Sequence, residues 1–194
     1  MNYYLYCYRN NITHLFCKAM SPLDQLLHEV GTARQQYITE AKKLTEEQAH
    51  WKPSPTEWSA VDLTEHLYWA EHGGIWGMWR ALLAQRAGHP IWEGELVHRG
   101  LPIETIIDRT WQPKEQVPPI AAPRMGGPAV FWLSALASLQ QPLHELATAL
   151  AGEDPEAIIH PHPISGPLDV RQRFEFLRFH IQRHHQQLLA LGLS

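Results

Sequence analysis

Residues 171–191, RQRFEFLRFHIQRHHQQLLAL, decide the fold of this chain. Their apolar positions recur at spacings of three, four and seven, which is the period of an amphipathic helix. On a helical projection the apolar stripe also carries His180 and His184, one turn apart. Because an imidazole buried without a partner is costly, this pair predicts either two hydrogen-bonded core histidines or two ligands of one metal ion. The spacing alone leaves both interpretations open.

Three further segments have a helical period, and clear capping patterns mark most of the helix starts. Ser21, Ser59 and Asp169 each precede an Asp or Gln by three residues, which is the spacing of a capping box. We therefore predict helices over residues 22–43, 60–86, 128–150 and 170–191, with a kink at Pro142 in the third. Residues 87–125 are rich in proline, glycine and charge, and only 103–111 has a helical pattern. Strand signals are sparse, so we expect an all-α four-helix bundle with a long crossover between helices two and three.

Composition excludes several classes of protein. A chain of 194 residues, 44% of them hydrophobic and 19% charged, suits one globular domain. The net charge of −4 and the scattered Lys and Arg argue against a nucleic-acid partner, and no apolar run is long enough to span a membrane. Both cysteines, Cys7 and Cys17, precede the predicted bundle, so no disulfide framework is expected and a cytoplasmic location is predicted.

The first 19 residues differ from the rest of the chain. They mix aromatic residues, Asn and both cysteines without a helical period, and they lack the ordered regions of a secretory signal. We expect residues 1–19 to be a poorly ordered extension and residues 20–194 to form the bundle domain. The clean helix start directly after Met20 suggests that translation begins there, although an authentic N-terminal arm would fit as well.

A third histidine lies on a predicted core stripe. Leu63, His66 and Leu67 share one face of helix two, so His66 could meet His180 and His184 if the two helices are neighbours. Three histidine ligands with an open position are typical of a reactive metal site, and they suit Zn, Ni, Fe or Cu(II). No nucleophile–base pair, phosphate-binding loop or paired carboxylates accompany them. We therefore assign no catalytic residue and no organic cofactor.

Several other residues are open to two interpretations. Trp58 would either line the mouth of the site or pack as a hydrophobic staple before helix two. Glu65 would either accept a hydrogen bond from an imidazole or lie on a solvated helix face. Gly73 and Gly74 would mark a kink or a close approach of another helix. The loop histidines at 160 and 162 alternate with prolines and give no convergent geometry for a second metal site.

Three stretches of sequence resemble the DinB-like (YfiT-like) superfamily. EWSAVDLTEHLYWAE, residues 57–71, is similar to the family's second helix, and GPLDVRQRFEFLRFHIQRHHQQL, residues 166–188, is similar to its last helix. LTEEQAHWKPSPTEWS, residues 44–59, is similar to the connection between the family's first two helices. The resemblance implies a four-helix bundle with a metal triad at His66, His180 and His184, and it places the glutamine of the closing motif at Gln187. His185 points about 100° away from His184 and is excluded on that ground.

The same resemblance implies a function. Members of the family include S-transferases and isomerases that use low-molecular-weight thiols such as bacillithiol or mycothiol, with a divalent ion (Zn, Ni or Fe) that activates the thiol. A low-molecular-weight thiol and a small electrophile are then the expected partners, and exposed tryptophans would be consistent with a homodimer. The alternatives are a non-catalytic, stress-related metal- or ligand-binding bundle and a bundle without metal. A roomy, partly polar pocket above the triad would favour an enzyme, whereas a filled one would favour the binding protein.

Overall fold

The computed structural model describes residues 5–7, 17–112 and 116–193, and its body is all-α, as predicted. Over these ranges the α-helices are α1 Pro22–Ala41, α2 Glu46–His50, α3 Ala60–Arg86, α4 Ile103–Thr110, α5 Ala129–Ser138, α6 Gln140–Ala149 and α7 Val170–Ala190. A 3₁₀ turn spans Pro119–Ala121. No helix in the described ranges is long and apolar enough to cross a membrane.

The N-terminal residues are described only in part. The backbone of β1, Leu5–Cys7, pairs antiparallel with β2, Cys17–Ala19, so that Leu5 lies opposite Ala19. The remaining residues of the predicted 1–19 extension lie outside the described ranges.

The long helices pack around one apolar core. α7 contacts α1 and α3, and the α5–α6 segment contacts the same two helices. The largest fully buried side chains come from all of these helices, among them Tyr37, Met78, Trp132, Leu143 and Phe174. α7 lies against α3, so the two helices that carry the predicted histidines are neighbours.

Local capping explains where the main helices begin. Ser21, Ser59 and Asp169 each accept a hydrogen bond from the backbone N–H three residues later, and that residue's side chain returns a bond to the cap's N–H. These reciprocal bonds satisfy N–H groups that have no partner inside the helix. The helix starts predicted at residues 22, 60 and 170 are confirmed.

The prediction of the third helix is wrong in one respect, which concerns its continuity. It consists of two helices, α5 and α6, that meet at Leu139 rather than one helix kinked at Pro142. Pro142 has no N–H to donate to the carbonyl of Ser138, and its ring crowds that carbonyl, so the regular helix stops at Ser138. Phe131, an apolar position of this segment, is exposed rather than buried.

The connection between α3 and α5 is anchored on α7. Ile103, Ile106 and Ile107 of α4 form a small second core with Leu168 and Phe176. This packing holds the connection against the face of α7 that carries the predicted metal ligands. The 3₁₀ turn that follows contacts α3.

The N-cap of α7 should impose a pH dependence on stability. Burial raises the pKa of the Asp169 carboxyl to about 6, although the N–H of Gln172 and the charge of Arg171 oppose the shift. Because this folded-state pKa lies above the ordinary value of 3.8, the folded protein holds the proton more tightly than the unfolded chain. Protonated Asp169 therefore makes its whole contribution to the free energy of unfolding below about pH 4, and this contribution is lost as the pH rises through about 6.

Urea unfolding of the wild type and of Asp169→Asn between about pH 4 and pH 7 measures this effect. Asparagine keeps the capping oxygen but does not ionise, so we expect the variant to gain stability relative to the wild type as the pH rises. A difference in unfolding free energy that stays constant across this range would contradict the prediction.

Candidate metal centre

α3 and α7 bring His66, His180 and His184 together inside the protein. The Nε2 atom of His180 lies 3.2 Å from Nε2 of His66 and 3.0 Å from Nε2 of His184. All three side chains are buried. Nitrogens that share one ion at about 2.0–2.1 Å are separated by distances of this order. The cluster is therefore compatible with a divalent metal ion, and it is the only such group of ligands in the described ranges.

The hydrogen bonds at the far side of two rings fix their tautomers. Nδ1 of His66 lies 2.8 Å from the carbonyl oxygen of Ala121, and Nδ1 of His184 lies 2.7 Å from Oε1 of Gln187. Because both oxygens are acceptors, each Nδ1 carries the hydrogen and each Nε2 presents a lone pair. This is the arrangement in which a second hydrogen bond orients a histidine ligand.

A hydrogen-bond network without a cation cannot satisfy this cluster. The Nε2 atoms of His66 and His184 both need a donor, and the single hydrogen on Nε2 of neutral His180 can reach only one of them. No described residue offers Nδ1 of His180 a hydrogen-bond partner. A metal ion would use all three lone pairs at once. The three imidazoles are therefore better suited to metal coordination than to hydrogen bonding among themselves.

Burial also keeps the rings in their neutral, ligand-competent form. It lowers the pKa of His66, and together with the neighbouring imidazoles it lowers the pKa of His180 well below its ordinary value. Burial and the proximity of His66 lower the pKa of His184 to about 3, even though its bond to Gln187 acts in the opposite direction. Neutral imidazole is the form that binds a metal.

Glu65 positions the segment that supports His66. It is fully buried, and its carboxylate accepts the backbone N–H groups of Arg124, Met125 and Gly126 as well as the indole N–H of Trp69. Burial raises its pKa, but these four donors outweigh that effect and leave the pKa below its ordinary value. Neither interpretation from the sequence was right, since Glu65 neither contacts an imidazole nor faces solvent. It anchors the chain just after Ala121, whose carbonyl orients His66.

A cavity of about 410 Å³ lies directly beside the triad, and all three histidines line it. Its walls are largely aromatic and include Trp58, Trp69, Trp111 and Phe176. The ring of Trp58 lies 4.9 Å from that of His66, centroid to centroid, and Trp58 also packs against the main core. Trp58 thus has both of the roles considered for it.

The loop histidines belong to the same cavity. His160 and His162 both line it, His160 packs against Gly77 of α3, and Nδ1 of His162 accepts the backbone N–H groups of Ile164 and Ser165. Their place beside the triad was not predictable, because loop residues flanked by prolines show no periodicity that would assign them to a face. His185 instead lies 6.3 Å from Tyr37, measured between ring centroids, and it does not line the cavity.

The fold and the site together define a class of protein, a helical bundle with a buried three-histidine cluster beside an aromatic cavity. A family model described as the DinB superfamily matches residues 29–188. The chain therefore belongs to the DinB superfamily, as the resemblance of its helices implied. No curated protein matches the chain.

Removal of one imidazole should abolish metal binding. We expect His66→Ala to lose the ion from a protein that otherwise carries about one ion per chain, because two ligands hold a first-row metal far less tightly than three. Elemental analysis after dialysis of untagged protein measures the content. His185→Ala is the matched control, since it removes an imidazole of α7 that does not line the cavity. Equal metal content in His66→Ala and the wild type would contradict the assignment.

Proposed function

We propose that this protein is a metal-dependent thiol S-transferase whose ion is held by His66, His180 and His184. The observation that carries the proposal is the cavity of about 410 Å³ that opens onto the triad. Three protein ligands leave at least one coordination position for a substrate, and here there is space for one beside them. Zn, Ni and Fe all suit imidazole ligands.

The ion would supply one chemical function, which is to lower the pKa of a bound thiol so that it is a thiolate at neutral pH. The protein contributes the orientation of the ligands. The carbonyl of Ala121 and the amide oxygen of Gln187 hold His66 and His184 with their Nε2 lone pairs toward the centre. Nδ1 of His180 has no partner in the described ranges, so the walls around it must keep its ring in place.

The reaction needs no residue to form a covalent intermediate. On binding, the thiol would lose its proton to water. Its sulfur would then form a bond to an electrophilic carbon while the bond from that carbon to its leaving group breaks, and the leaving group would depart as an anion. The aromatic walls exclude water and provide an apolar surface for a small electrophile. No described residue that lines the cavity is a carboxylate, which agrees with a mechanism that has no carboxylate general base.

The alternative function, a non-catalytic metal- or ligand-binding bundle of a stress response, requires no free space at the ion. A structural metal site is closed by a fourth ligand or by packing. The open cavity beside three ligands therefore favours the catalytic proposal over the alternative.

A conjugation assay tests the proposed activity. Metal-free protein reloaded with Zn, Ni or Fe is mixed with monochlorobimane and, in turn, with bacillithiol, mycothiol, glutathione or cysteine. We expect at least one combination of metal and thiol to react well above the uncatalysed rate, and we expect His180→Ala to return the rate to background. His185→Ala should keep the activity. Background rates for every combination, with metal bound, would contradict the proposal.

We also propose a homodimer in a reducing cytoplasm, where a thiol substrate stays reduced. Trp76 and Leu83, seven residues apart on α3, are both exposed and share a face of the helix. Sedimentation velocity should give the mass of two chains, and Trp76→Glu should shift the distribution to one chain. A single-chain mass for the wild type at all concentrations would contradict this proposal.

A further inference from the structure

Arg173 is a buried cation that has no anionic partner among the described residues. It lies on α7 two turns before His180, it is only 4% exposed, and it lines the same cavity as the triad. No described residue accepts a hydrogen bond from its Nε or Nη1 atoms. The guanidinium carbon lies 5.4 Å from the ring centroid of Phe176, and this cation–π contact offsets only part of the lost hydration.

The other buried arginine of the described ranges, Arg34, differs from Arg173 because its guanidinium has hydrogen-bond acceptors. Arg34 is equally buried in the core, but its Nη2 lies 2.5 Å from Oε2 of Glu71 and its Nη1 donates to Gln140. A buried charge is normally paired and hydrogen-bonded in this way, because its desolvation is otherwise uncompensated. Arg173 departs from that rule, and it lines a cavity in which a ligand could supply the missing acceptor.

Two glycines of α3 leave space for the side chains of Arg173 and His160. A Cβ on Gly74 would lie 3.0 Å from Nη2 of Arg173, and one on Gly77 would lie 1.9 Å from Nε2 of His160. Gly74 therefore marks a close approach of another helix, which was one of the two interpretations of the Gly73–Gly74 pair. Nδ1 of His160 is also buried without a partner in the described ranges, so two groups with unused hydrogen-bonding capacity lie along this wall.

The charges around the cavity select an anion. Arg173 and Arg183 line it, and none of its described residues is Asp or Glu. Burial lowers the pKa of Arg173 to about 10, so the group remains a cation at neutral pH. A planar guanidinium pairs with a carboxylate through two parallel N–H···O bonds. Arg183 is half-buried and lies over the ring of Trp111, whereas Arg173 is buried, so the buried part of the cavity offers one guanidinium for one negative charge. A phosphate dianion would require further donors, and no Lys or glycine-rich loop among the described lining residues provides them.

We infer that Arg173 binds the carboxylate of a substrate whose thiol or electrophilic end reaches the histidine triad. The inference rests on the proposed function for the identity of the reacting end. Seven residues of helix rise about 10.5 Å, so the substrate must be extended, with its carboxylate and its reacting atom separated by several bonds. Arg173 is then the residue that selects acidic substrates over neutral ones.

Calorimetric titration of the Zn-loaded protein with 6-mercaptohexanoate and 6-mercaptohexanol tests the inference. Charge-assisted hydrogen bonds are expected to make the carboxylate bind about 10- to 100-fold more tightly than the alcohol. Arg173→Met should abolish this preference while the affinity for 6-mercaptohexanol stays unchanged. Arg173→Lys should retain part of it, because lysine keeps the charge but not the two-pronged geometry. The control is Arg178→Met on the same helix, whose arginine pairs with Glu104 outside the cavity.

Hexanoate, which has no thiol, separates this inference from the proposed function. If hexanoate binds the wild type but not Arg173→Met, the carboxylate site is supported. If 6-mercaptohexanol does not bind at all, the thiol site is refuted. Binding of both thiols with equal affinity to the wild type would sustain the thiol site and overturn the role of Arg173. Retention of the carboxylate preference in Arg173→Met would overturn it too, as would tighter binding of inorganic phosphate than of hexanoate. Should Arg173→Met fail to fold, Arg173→Lys decides: a carboxylate preference weaker than that of the wild type would support the role of Arg173, and an unchanged preference would overturn it.

Discussion

Three imidazole lone pairs converge on one point inside the protein, and this convergence constrains the elements around it. His66 and His184 each donate from Nδ1 to a fixed oxygen, so both must present Nε2 toward His180. Neutral histidines cannot satisfy one another in that arrangement, whereas a cation can satisfy all three. Other features near the site can be understood as means of holding α3, α7 and the connection between α3 and α5 in the positions that this convergence requires.

The connection is part of the site rather than a simple link between helices. Its first part, α4, is packed on Phe176 of α7, and its last part is held by the buried carboxylate of Glu65. Between these two anchors lies the 3₁₀ turn, and the carbonyl of its last residue, Ala121, accepts a hydrogen bond from His66. A long segment of irregular backbone is tolerated here because its polar groups are bonded to specific partners.

The interior contains two kinds of polar group, and their difference separates stability from function. The guanidinium of Arg34 joins α1 to α3 through Glu71 and has its acceptors inside the protein. Among the described residues, Nδ1 of His180, Nδ1 of His160 and Nε and Nη1 of Arg173 are buried without a hydrogen-bond partner at one cavity, whereas away from this cavity Oε1 of Glu71, Nε1 of Trp92 and Oε2 of Glu175 have no partner. Unsatisfied groups lower stability, so their concentration at one place is expected where a bound molecule completes their bonds.

The helical class, the capped helix starts and the position of the triad on two apolar stripes were predictable from the amino-acid sequence, because they depend on interactions between residues three or four apart, which a period or a capping pattern records directly. Membership of the superfamily was implied by the resemblance of three stretches of sequence, and the family model shows it. The break at Leu139, the role of Glu65, the acceptor for His66 and the lack of a described hydrogen-bond acceptor for Nε and Nη1 of Arg173 became visible only in the folded chain. The Ala121 carbonyl is 55 residues from His66 in the chain, and no local pattern encodes a contact at that separation. Whether a buried charge has a partner depends on every element packed around it, so the fold had to be known first.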